Sequence, residues 1–223
     1  MDVAEGELLY AVPPIIGDRG EVTSSVDEAV QRVLGALATH LTAHAHSTLL
    51  ARPPVFEAYR EFIAGSEVFV ADLPAAIRHL ERAVTIDPQF TSARFRLAMA
   101  YKAALRAPEG RALLDRLQDR RGELTEFERV WLDAFVANFE GRWHDALTCL
   151  NRALEMAPND WTILYLIGSH ELRLNRPRHV VESLEELHGK PLPGFVVRHP
   201  FYAASYAILA VAHHQLGDHR REL

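Results

Sequence analysis

Apolar residues recur along most of this chain at steps of three and four, the spacing of one face of an α-helix. Val26, Val30, Val33, Leu34, Leu37 and Leu41 form the first such stripe, and Ser25 with Glu28 offers a capping box at its start. Upstream, Leu8–Val12 reads as one short strand, interrupted by Pro13-Pro14 and followed by a turn at 17–20. A lone strand leaves backbone groups unpaired, so this one calls for a partner that the rest of the pattern does not supply. Residues 46–54 read as a loop, and Pro53-Pro54 marks a boundary between 1–54 and 55–223.

From Val55 onward the pattern is helical throughout, and it repeats. Ala76, Leu80, Ala83 and Pro88 reappear as Ala146, Leu150, Ala153 and Pro158. The two prolines lie 158 − 88 = 70 residues apart, two periods of about 35. That period divides the chain into repeats at 57–90, 91–124, 127–160 and 161–194, with a fifth beginning near Ala203. Turn residues fall between the two helices of each unit: Ala71-Asp72, Gly141-Arg142, Asn175-Arg176-Pro177 and Gly217-Asp218. Thr125 with Glu128 is a second capping box, and Asn159-Asp160 is a further helix start. Small side chains at fixed slots let one helix approach the next, and a larger residue fills the space beside them. The expected fold is all-α, a stacked array of antiparallel helix pairs that acts by presenting a surface.

Composition changes this picture little. Of 223 residues, 48% are hydrophobic and 24% charged, as in an ordinary globular protein. The net charge of −6 argues against nucleic acid as a partner, and the basic stretch at 111–121 is interleaved with Glu109, Asp115, Asp119 and Glu123. Cys149 is the single cysteine and falls on an apolar helix face, so it reads as a small core residue of a reducing compartment. The N-terminus is acidic where a signal peptide is basic, and the longest apolar run, Tyr202–Ala212, is far short of a membrane span. A cytoplasmic protein without membrane contact is therefore expected. His40, His44 and His46 are the best metal candidates among twelve histidines, but no carboxylate or cysteine accompanies them. Phosphate loops, nucleophile elbows and paired cysteines do not occur, so neither enzymatic activity nor a cofactor is expected.

The recurring slots resemble the tetratricopeptide repeat. The first repeat supplies Ala64, Ala76, Leu80, Ala83 and Pro88; the third supplies Ala134, Ala146, Leu150, Ala153 and Pro158, with Gly141 and Trp143 at the turn. The second matches through Leu97, Ala98 and Tyr101 but has a degenerate second helix, with Gly110, Leu114 and Leu117. The fourth has Ile167, Gly168 and Leu184 but no closing alanine, and Asp133 fills a slot where an apolar residue is expected. The resemblance implies a right-handed superhelix of antiparallel helix pairs, preceded by the short strand and one helix. It also implies protein–protein interaction through a concave groove lined by the first helix of each pair. Carried over by position, that groove holds Glu61 and Phe69, then Phe95, Met99 and Lys102, then Trp131, Phe135, Asn138 and Phe139, then Tyr165 and Arg173. An alternative is that the aromatic series Phe95, Trp131, Tyr165 only packs between neighbouring helices. The family's carboxylate-clamp positions carry Glu61 and Gly65 here, so capture of a chaperone tail is not expected. Terminal repeats normally carry a polar cap. The apolar face around Tyr206, Leu209 and Val211 thus suggests a second role, self-association of an incomplete last repeat into a homo-oligomer.

A narrower likeness covers 56–65, 86–90, 124–129 and 213–218, which are similar to repeat regions of large bacterial signalling proteins. There such regions follow kinase, nucleotide cyclase or DNA-binding output domains. The likeness implies a regulatory or sensory module and a chain that is a fragment of a longer protein.

Overall fold

The computed structural model describes the backbone of residues 22–41, 52–158, 160–189 and 200–218. Ten α-helices and no strand occur among them. They are α1 (Val22–Leu41), α2 (Phe56–Glu67), α3 (Leu73–Ile86), α4 (Thr91–Ala103), α5 (Ala107–Asp119), α6 (Glu126–Phe139), α7 (Trp143–Met156), α8 (Trp161–Arg173), α9 (Pro177–Gly189) and α10 (Pro200–Leu216). The strand expected at 8–12 lies outside the described residues, as do His44, His46 and the side chain of His40. Each helix packs on the next in chain order from α1 to α10. The first helices of the four complete pairs start at Phe56, Thr91, Glu126 and Trp161, spaced 35 residues apart each time (161 − 126 = 35).

The small slots explain the pairing. Ala76, Ala83, Ala146 and Ala153 are fully buried, and Leu80, Leu114, Leu150 and Leu184 fill the larger slot between them. In the fourth pair a Cβ on Gly168 would stand 2.9 Å from Leu184 Cγ. In the second pair Gly110 replaces the alanine, and a Cβ there would stand 2.7 Å from the Ala98 carbonyl oxygen. Leu117 and Leu187 are buried where the other repeats have their closing alanine. The first pair departs from the expected register. Its close-approach residue is Gly65 rather than Ala64, because a Cβ on Gly65 would stand 2.9 Å from Leu80 Cγ while Ala64 is only half-buried. All first-helix positions of that repeat therefore shift by one.

Local signals set the helix ends. Thr125 and Glu128 make a reciprocal capping box at α6, and Asp160 accepts from the Thr162 and Ile163 amides at α8. Asp72 accepts from the Ala75 amide at α3. Ser25 does not cap α1, which begins three residues earlier at Val22; Glu28 instead pairs with Arg32 at 3.1 Å. Asp133, anomalous as a core residue, faces outward and holds Arg121 through two hydrogen bonds of 2.7 and 2.8 Å.

The buried residues fall into two clusters. The larger runs from α2 through α8, and a smaller one joins Trp161, Leu164, Val180, Leu184, Leu187, Tyr202 and Ala212 under α10. Helix α1 lies against the start of α2, where Gln31 Oε1 accepts from the Glu57 amide at 3.2 Å. Its stripe of Val26, Val30, Val33, Leu34 and Leu37 remains exposed.

Candidate functional site

The first helices of successive pairs, α2, α4, α6 and α8, stand side by side, and their inward faces together with the start of α10 enclose one concavity of about 350 Å3. Its floor is aromatic. Phe95 and Phe135 lie 5.0 Å apart between ring centroids, Trp131 and Phe135 5.6 Å, and Phe127 stacks behind Trp131 at 5.5 Å. These rings are largely buried by their helix neighbours: Phe95, Trp131 and Phe135 are 3%, 7% and 8% exposed. They serve first as packing, and only their inner edges face the space.

The more accessible wall is made by rings from opposite ends of the array. Phe201, at the start of α10, stacks on Tyr165 at 5.3 Å and meets Phe69, just past α2, edge-on at 5.1 Å. The stack of helices therefore curves enough to bring its first pair against its last helix. The Arg96 guanidinium lies between Phe201, at 4.8 Å, and Phe62, at 5.9 Å from the ring centroids.

The opposite end is polar. Lys102 Nζ donates to both the carbonyl oxygen and the Oδ1 of Asn138, each at 2.6 Å, and sits over the rings of Phe139 and Trp143. Asn138 Nδ2 donates to His170 Nε2 at 2.8 Å, and His170 Nδ1–H donates to the Leu166 carbonyl at 2.7 Å. This chain fixes the tautomer of His170. Arg173 lies over Trp143 at 5.1 Å. Burial and the neighbouring Arg173 push the Lys102 ammonium down to about 8, and burial lowers the Arg96 guanidinium to about 10. Burial also lowers His170 and raises Tyr165.

Nine of the positions expected from the sequence line this space: Phe69, Phe95, Met99, Lys102, Trp131, Phe135, Asn138, Tyr165 and Arg173. Glu61 does not. It turns toward α3, where it meets His79 Nδ1 at 2.7 Å and Arg82 at 3.2 Å. The one-residue shift marked by Gly65 puts Phe62 in its place, so the aromatic series begins one repeat earlier, as Phe62, Phe95, Trp131, Tyr165. Phe139 stands behind Lys102, packed where α5 crosses at Gly110. Sequence reasoning also missed Arg96, Ser169, His170 and Phe201. The first three are helical neighbours, one turn or less from positions that were named. Phe201 could not be found by period, since its place depends on the curvature of the whole array. At the C-terminal helix, Tyr206 and Val211 are exposed, whereas Leu209 is half-buried against the smaller core cluster. The described residues contain no group of three side chains suited to a metal and no helix long and apolar enough to cross a membrane.

No family model and no curated protein matches the chain. Among solved structures it is similar to MamA AMB-1, at 18% identity over 74% of this chain and 86% of that one, with a TM-score of 0.38. It is similar also to MamA MSR-1, at 17% identity over 75% and 90% with a TM-score of 0.40. The P58(IPK) TPR domain aligns at 17% identity over 74% and 57%, with a TM-score of 0.37.

Proposed function

We propose that this helical array is a non-enzymatic scaffold that binds a segment of a protein partner in its concave face, as the regulatory or sensory module of a larger signalling protein. The observation that carries the reading is the single concavity to which α2, α4, α6, α8 and α10 all contribute. A surface made from every repeat, with an apolar floor and a few converging polar groups, has the anatomy of a recognition site. The signalling context rests on the likeness of the repeat segments alone.

Because Trp131 and Phe135 are core residues, truncating them would cost about 3–5 kcal/mol each in packing and confound a binding test. Tyr165 and Phe69 are half-buried and better suited. Peptides selected on the immobilised protein from a displayed random library should bind Tyr165→Ala and Phe69→Ala at least about ten-fold more weakly, a loss of roughly 1.4 kcal/mol or more. Equal affinity for the parent and both variants would refute the groove as the site.

A second reading, self-association, is favoured by the exposure of Tyr206 and Val211 on α10. Light scattering that finds a strict monomer at high concentration would remove it.

A further inference from the structure

The concavity is electropositive in a chain whose net charge is −6. Among the described residues three cations line it, Arg96, Lys102 and Arg173, and no aspartate or glutamate does. Several arginines elsewhere on this surface are paired with carboxylates: Arg111 with Glu140, Arg120 with Glu123, Arg142 with Asp145, Arg152 with Glu126. The groove cations are not. Arg96 makes no direct hydrogen bond or ion pair among the described residues: it lies between the faces of Phe62 and Phe201, and the Asp160 carboxylate acts on it from beyond ion-pair distance. Lys102 is bound by two neutral oxygens of Asn138, and Arg173 lies over the Trp143 ring with no ion pair among the described residues. A half-buried guanidinium with no carboxylate in direct contact is costly, and an incoming carboxylate recovers part of that cost.

We propose that the groove takes an acidic segment of a partner protein, one carrying carboxylates beside an aromatic side chain. This rests on the groove reading above and adds its charge. Arg96 and Lys102 lie six residues apart on α4, a rise of about 9 Å, so two carboxylates roughly three extended residues apart reach both. The partner's ring packs on the more accessible aromatic wall that Phe69, Tyr165 and Phe201 make together. The charges are not those of the family's carboxylate clamp, whose slots hold Phe62 and Ser66 once the one-residue shift is applied.

The test uses the full chain and capped synthetic peptides of about nine residues, roughly 30 Å when extended, with three Phe each and the remainder Glu, Gln or Lys. By titration calorimetry the Glu peptide should bind, the Gln peptide about ten-fold more weakly, and the Lys peptide not measurably. Raising the salt should weaken the Glu peptide, and Arg96→Gln or Arg173→Gln should reduce the Glu/Gln preference by about ten-fold, with circular dichroism unchanged. A Gln peptide that binds as well as the Glu peptide overturns the charge assignment and leaves the groove standing. So does a Glu/Gln preference that both Arg variants retain. If no peptide of any charge binds, both the groove and its charge are refuted, and a concentration-dependent dimer sensitive to Tyr165→Ala would assign the face to a second copy.

Discussion

Leu105 lies in the left-handed region at φ +60° with its side chain 92% exposed. The equivalent step in three other turns is taken by Gly141 at +73°, Asn175 at +56° and Gly217 at +75°. All four close a helix in the same way. Leu105 N donates to Lys102 O at 3.1 Å and Arg106 N to Tyr101 O at 2.8 Å, matching Gly141 N to Asn138 O at 3.3 Å and Arg142 N to Ala137 O at 2.9 Å. A residue with a Cβ pays about 1–2 kcal/mol to stand there. Glycine avoids that cost but brings about 0.5–1 kcal/mol more backbone entropy to the unfolded chain. Leu105 buries nothing, so no packing is lost on replacement. Leu105→Gly should therefore stabilise the array by about 0.5–1 kcal/mol, or roughly 1–4 °C for a chain of this length. The assay is the denaturant midpoint at unchanged slope, with hydrogen exchange of α4 and α5 as a local check. The reciprocal control is Gly141→Ala, where a Cβ meets no atom within 4 Å, so only the same two backbone terms act. It should cost about 0.5–1 kcal/mol. A lower midpoint for Leu105→Gly, or no change for Gly141→Ala, would refute the argument from backbone strain.

Gly110→Ala should destabilise by about 1–3 kcal/mol, because its Cβ meets the Ala98 carbonyl and the Phe139 ring at under 3 Å; a neutral denaturation curve would show that α5 can move aside. Lys102 is held near 8 in the folded chain against an ordinary 10.5, so between pH 8 and 10.5 the unfolded chain binds more protons and stability should rise with pH. That rise should be missing in Lys102→Met, measured by chemical denaturation from pH 7 to 9.5; a parallel pH dependence of the two proteins would count against it. Phe201→Ala removes a ring held by Phe69, Tyr165 and Arg96, so exchange should quicken across α10 while α6 and α7, in the larger cluster, keep their protection. Uniform quickening along the whole array would mean that the two clusters unfold together.

The spacing of small and large side chains already carried the fold. Ala76, Leu80 and Ala83 recur as Ala146, Leu150 and Ala153 because every crossing needs the same close approach, and that need is local to a helix pair. For the same reason, positions counted within one helix, such as Met99, Lys102 and Asn138, came out on the expected face. Counting failed where the count itself slipped. Only the contact of Gly65 with Leu80 reveals that the first repeat is offset by one, exchanging Glu61 for Phe62. It failed again where the answer depends on a sum over the array. Small rotations between neighbouring helices accumulate until Phe201 reaches Phe69 and Tyr165, and no periodicity records that sum. The charge of the groove is of the same kind. Arg96, Lys102 and Arg173 are unremarkable in a chain with more acids than bases, and their convergence on one lining without a carboxylate exists only once five helices have come together.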